Sequence, residues 1–180
     1  RWIGDGSYSG GSYHLCCGKH ELDYVLEKLD RANIRYTHFC GQTTEIFYIK
    51  AGNVELLEYL RECGVGALNK HFPMQCYDFD AETLKSLLCG LLEADGCAIT
   101  NKYGRTLVKF NSISQTLASE VLYFARSLGY FPTCYINRRA GDSVILGRKV
   151  QIRDRYEVDW FQDSKSKICI EDPALNVVWT

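Results

Sequence analysis

The sequence predicts an α+β fold made of two copies of one unit, each running helix–strand–strand–helix–strand–strand. Three observations point there. A short apolar stretch closes on Asp-Gly twice, at Asp5-Gly6 and Asp95-Gly96, 90 residues apart. After each, a hairpin pattern gives way to an amphipathic helix, and repetition of this kind sets the whole fold. The two helices also match position by position: Leu22, Val25, Leu26 and Leu29 correspond to Ala118, Val121, Leu122 and Ala125 at a constant offset of 96. The second hairpin is therefore about six residues longer, a difference that loops tolerate. A chain of 180 residues, 46% of them hydrophobic, can bury a sizeable core as one domain, 1–180. Its parts are expected to be a first repeat over 1–79, a second over 80–161, and a tail over 162–180.

Each element has its own signal. After Gly6 a polar Gly/Ser turn leads to a short strand around Tyr13–Cys17 and a helix from about Lys19 to Ala32, with Asn33 as a left-handed stop. Arg35–Gln42 and Thr44–Lys50 read as strands. A helix over Val54–Cys63, broken by Gly64-Val65-Gly66, belongs to the first half only. Asp80 is placed to cap the central helix that ends at Gly96. Beyond it come a hairpin, Cys97–Thr100 and Thr106–Ile113, turning at Asn101–Gly104, and a helix from Ser114 to Leu128 stopped by Gly129. Thr133–Arg139 and Val150–Phe161 complete the second set of strands, and Ile168–Thr180 looks strand-like around Pro173.

Composition narrows the function classes. No apolar run approaches the roughly 20 residues of a membrane helix, so no membrane partner is expected. No signal peptide heads the chain, which starts mid-element at Arg1 as a piece of something longer would. Nine cysteines without a C-x-x-C pair favour reduced, buried thiols over a zinc site or a disulfide framework. That implies a reducing, intracellular setting, cytoplasm or nucleus. His14, His20, His38 and His71 show no metal-ligand spacing. The net charge of −1 does not mark a nucleic-acid binder, but Arg138, Arg139, Arg148, Lys149, Arg153 and Arg155 face only Asp142 and Asp154, a local balance of +4. Phosphate contact needs such a local surface rather than a basic protein.

The run Leu88-Cys89-Gly90-Leu91-Leu92-Glu93-Ala94-Asp95-Gly96 carries the chemistry. Gly90 and Ala94 share a helical face with a small-residue flank that permits close approach of a partner helix. Gly4 offers the same on the other side, so packing would set the Asp5 and Asp95 carboxylates near each other. Two such carboxylates repel unless they are protonated or bridged by hard cations, Mg²⁺ above all.

This run resembles the LAGLIDADG signature of homing endonucleases, with six of nine letters identical: Leu88, Gly90, Leu91, Ala94, Asp95 and Gly96. Trp2-Ile3-Gly4-Asp5-Gly6 looks like the tail of a first copy in the form typical of inteins. Asn69-Lys70-His71-Phe72-Pro73, ahead of the second copy, is similar to the linkage found in those intein-borne (DOD-type) enzymes.

The resemblance implies a saddle of two antiparallel sheets with helices on the convex face. It implies Mg²⁺- or Mn²⁺-dependent, site-specific double-strand cleavage by a monomer on a long asymmetric duplex target. Asp5 and Asp95 are then the metal-binding and catalytic carboxylates and Lys70 the catalytic cation, with His71 in a packing or DNA-proximal role. Strand alternation puts Val108 and Phe110 on the helix-covered face and leaves Arg105, Lys109 and Asn111 for DNA, with Arg138, Arg139, Arg148, Arg153 and Arg155 extending that surface. The parent chain is expected to carry a splicing domain and a host protein. No splicing nucleophile block and no terminal His-Asn appear here, so this stretch should not splice alone. The alternatives are an insert that has lost cleavage, against which both aspartates count, and a group I intron RNA maturase, against which the intein-type elements count.

Overall fold

Two four-stranded antiparallel sheets share one strand order, and this is the repeat made visible. In the first half β1 (Gly6–Ser9), β2 (Ser12–Gly18), β3 (Tyr36–Cys40) and β4 (Thr44–Ile49) are ordered β1-β2-β4-β3. In the second half β5 (Gly96–Thr100), β6 (Thr106–Ser112), β7 (Thr133–Arg138) and β10 (Arg155–Gln162) are ordered β5-β6-β10-β7. The computed structural model describes residues 2–145, 147–162, 168–170 and 177–179.

Among the described residues, five α-helices accompany the sheets: α1 (Trp2–Asp5), α2 (Leu22–Arg31), α3 (Val54–Glu62), α4 (Ala81–Asp95) and α5 (Gln115–Ser127). The sequence signals for them hold. Asn33 adopts φ 53° and Gly129 φ 84°, the left-handed stops after α2 and α5. Asp80 accepts from the Thr83 amide at 2.7 Å and caps α4. Ser114 does the same for α5 through the Leu117 amide at 3.2 Å. The turn at Asn101–Gly104 is closed by the Asn101 carboxamide, which accepts from the Tyr103 and Arg105 amides.

Two expectations need correction. The Gly/Ser segment after Gly6 is not only a turn: it forms β1, and Gly10 and Gly11, both at positive φ, join it tightly to β2. Two consecutive left-handed residues suit a two-residue hairpin turn, which polar composition alone concealed. The expected strand Val150–Phe161 is two strands. A separate hairpin of β8 (Gly141–Ile145) and β9 (Arg148–Ile152) precedes β10, and Asp154 breaks the run by accepting from the Ala140 amide at 2.7 Å. Within the tail, β11 (Ile168–Ile170) pairs with β12 (Val177–Trp179), while Pro173 lies outside the described residues.

Helices cover one face of each sheet. Val108, Phe110, Val158 and Trp160 point from the second sheet into a core with Leu84, Leu88 and Leu91 of α4 and Leu117, Val121 and Phe124 of α5. Leu15, Cys17 and Phe47 of the first sheet meet Val25 and Leu29 of α2. The period-2 alternation of the strands leaves the opposite faces to polar and aromatic side chains.

Candidate active site

The end of α1 is held against the end of α4 by the absence of a side chain. A methyl group added to Gly4 would overlap the Ala94 side chain and come within 3.0 Å of the Asp95 carboxylate. Asp95 therefore lies directly against the residue that precedes Asp5. The close approach expected of Gly4 and Ala94 is present.

Lys70 reaches the same point from the loop after α3. Its ammonium donates to the Gly4 carbonyl at 2.7 Å and to the Gly6 carbonyl at 3.0 Å, thus bracketing Asp5. It also lies 5.9 Å from the centre of the Trp2 ring. The loop that presents Lys70 is fixed at several points. The His71 amide donates to the Cys63 carbonyl, and Gly64 at φ 76° passes so close to Asn69 that a side chain there would collide with its backbone. From α5, the buried Ser114 hydroxyl donates to the Lys70 carbonyl at 2.7 Å, and Glu120 accepts from the Phe72 amide at 2.8 Å. His71 donates through Nδ1 to the Asn69 carbonyl at 2.8 Å, a loop-shaping contact.

The charged groups at this place perturb one another. Burial pushes the Asp95 carboxyl above its ordinary range even though Lys70 pulls it down. Burial likewise lowers Lys70, while Asp95 and then Asp5 favour its charged form. Perturbed groups of opposite sign, gathered where two helices end, are what a site for chemistry requires. Asp5 and Asp95 offer hard oxygen donors, so this donor set fits Mg²⁺ or Mn²⁺. Among the described residues no group of three or more His, Cys, Asp or Glu is arranged to hold a metal. An ion here would complete its shell with water and phosphate oxygens, as Mg²⁺ commonly does.

The expected DNA-facing residues divide into three sets. Arg105 stands at the foot of β6 with its guanidinium 4.0 Å from the centre of the Phe161 ring. Lys109 and Asn111 point away from the core, but Lys109 is ion-paired at 2.5 Å with Glu157. Arg138 and Arg155 sit opposite each other on β7 and β10, whereas Arg148 lies on β9 in the separate hairpin and Arg139 and Arg153 in the flanking connections. The arginine cluster of the sequence is thus spread over two sheets. Tyr135, Asn137, Glu157 and Asp159 share the open face with Lys109 and were not anticipated. Alternation along β10, with Val158 and Trp160 apolar between Glu157, Asp159 and Phe161, was the signal that could have found the acidic pair. Ser114 and Glu120 carry no such signal, since their role depends on a loop distant in sequence.

The comparisons with known proteins agree with this geometry. Residues 82–165 match the LAGLIDADG-like domain. The fold as a whole is also similar to that of solved structures of the homing endonuclease I-DmoI. Mesophilic variants of the homing endonuclease I-DmoI are similar with a TM-score of 0.52 and 14% identity, covering 88% of this chain and 83% of theirs. I-DmoI in complex with DNA and calcium is similar with a TM-score of 0.53 and 14% identity, over 88% of this chain and 78% of that one. At such identities the likeness speaks for the fold.

Among curated relatives, an iron-sulfur cluster assembly SufBD family protein of Mycobacterium tuberculosis is 26% identical over 118 residues, 66% of this chain and 14% of that protein. An uncharacterized protein of Methanocaldococcus jannaschii is 26% identical over 143 residues, 73% of this chain and 16% of that protein. The chain therefore spans only a small part of the length of the relatives it matches.

Proposed function

We propose that this chain is a site-specific double-strand DNA endonuclease of the LAGLIDADG homing type. The observation that carries the proposal is the convergence at the α1–α4 junction: Asp95 against Gly4, and Lys70 bonded to the carbonyls on both sides of Asp5. Asp5 and Asp95 would hold divalent metal, Mg²⁺ or Mn²⁺. Bound there, the metal supplies an activated water and stabilises the departing oxygen of the phosphodiester. Lys70, fixed by Ser114 and the two carbonyls, steadies charge that builds on the phosphate. The open sheet faces, with Arg105, Asn111, Arg138 and Arg155, position the duplex and read its edges. I-DmoI has been solved with its target DNA in the presence of manganese, which supports both partner and cofactor.

An intein setting is supported by the relatives. A match confined to 14% of a SufBD family protein is what an insert inside an unrelated host would give. The parent chain would then carry a splicing domain. A reducing compartment fits the eight cysteines from Cys16 to Cys134, which are free thiols. We take the active species to be a monomer, because one chain already supplies both aspartates. The test is incubation of the full chain with a pool of randomised duplexes in Mg²⁺, followed by sequencing of the ends produced. Breaks at one recurring long asymmetric sequence, absent when the metal is chelated, are expected. Binding without breaks would favour the decayed-insert alternative, and preference for structured intron RNA would favour the maturase.

A further inference from the structure

We propose that Glu157 is a positioning residue for target specificity. It takes up the charge of Lys109 and fixes Lys109 as a base reader instead of a phosphate contact, with Tyr135 and Asn137 bracing the carboxylate. This inference rests on the DNA-binding role proposed above.

Glu157 is on the open face of the second sheet by strand alternation, yet it is only 3% exposed, because neighbouring side chains close over it. Lys109 of β6 donates to its Oε1 at 2.5 Å, the Tyr135 hydroxyl of β7 donates to the same oxygen at 2.5 Å, and the Asn137 amide donates to Oε2. Asn137 in turn accepts from the Arg155 guanidinium at 3.1 Å. One carboxylate thus ties together three adjacent strands. These hydrogen bonds hold the Glu157 carboxyl below its ordinary range, with Lys109 the largest contributor, and raise the Lys109 ammonium, so both stay ionised at neutral pH.

Two consequences follow for a duplex lying on this face. The Lys109 charge is balanced locally, and Asp159, which accepts from Thr133 on the same face, adds a further negative charge. Around Glu157 the Lys109 charge is therefore spent on a neighbouring carboxylate and does not add to the attraction for phosphate. Lys109 nonetheless keeps ammonium donors not used by Glu157, held at a fixed place, and its side chain is 26% exposed. A restrained lysine with unused donors suits the paired acceptors on a guanine edge, which phosphate contacts cannot discriminate.

The test uses the full chain and its variants Glu157→Gln, Lys109→Met and the double variant. Duplexes selected from a randomised pool by the unmodified chain are compared with a scrambled duplex across a series of salt concentrations. Glu157→Gln should free the Lys109 charge. Binding to the scrambled duplex should tighten, the magnitude of the log–log salt slope should rise by about 0.9, and the preference for the selected duplex should fall by about 10-fold. Lys109→Met should reduce the preference, and the double variant, which keeps the local charge balance, should bind with the slope of the unmodified chain. A slope for the double variant below that of the unmodified chain would show that Lys109 already contacts phosphate and would overturn the proposal, and Lys109→Met with an unchanged preference would overturn it whether or not Glu157→Gln folds. A folded Glu157→Gln chain with unchanged binding to both duplexes would overturn it as well. Failure of the unmodified chain to bind any duplex would overturn the DNA-binding role itself, a result the variants cannot mimic.

Discussion

Asp95, proposed above to bind metal, works against the stability of its own fold. Its carboxyl is raised by burial, with Lys70 only partly offsetting that cost. A carboxyl raised in the folded state contributes stability below its unfolded value and loses it as pH rises through the folded one. Asp95→Asn should therefore raise the melting temperature at neutral pH, and the difference should vanish on acidification. Thermal melts of both proteins at several pH values check this, and a lower melting temperature for Asp95→Asn at neutral pH would contradict it. Lys70→Ala should slow cleavage without abolishing it, because the cation steadies charge and does not hold metal. Single-turnover cleavage rates measure that difference.

At the scale of elements, the site depends on contacts that a sequence conceals to different degrees. The Gly4–Ala94 approach was legible, since small residues ahead of each Asp-Gly suggested it. Gly4→Ala should cost about 1–3 kcal/mol by overpacking, because the Ala94 Cβ is fixed to its helix and cannot swing aside. It should also reduce cleavage by displacing Asp95. The anchoring of the Lys70 loop was not legible. Ser114 caps α5 and donates to the Lys70 carbonyl, and only the folded chain brings these together. Ser114→Ala should destabilise by about 1–2 kcal/mol, read by denaturant titration, and lower the cleavage rate along with it. Strand boundaries fared worst where polar residues dominate: β1 and the β8–β9 hairpin lack the apolar alternation that revealed β6. Their structure comes from turn geometry at Gly10-Gly11 and Gly147 and from one Asp154 hydrogen bond, which composition does not encode.

For the whole molecule, the repeat was legible because two helices keep the same buried face at a fixed offset. Val25 and Val121 are both almost wholly buried. The matching sheet orders follow from that symmetry, and the inserted β8–β9 hairpin shows how far the second half has diverged. Divergence extends to charge. Arg138 and Arg155 face each other on the second sheet, so replacing both with Gln should lower the magnitude of the salt slope by about 0.9 for each phosphate they cease to neutralise. Salt-dependent binding isotherms decide it, and an unchanged slope would mark these arginines as a solvated edge.

On the proposed mechanism, Asp95 and Asp5 act together at the α1–α4 junction to break both DNA strands. The most direct test is double-strand cleavage of the selected duplex in Mg²⁺ by the unmodified chain and by Asp95→Asn, with binding measured in parallel. Paired breaks by the unmodified chain and none by Asp95→Asn, at equal binding, are the expected result. Undiminished paired cutting by Asp95→Asn would contradict the account.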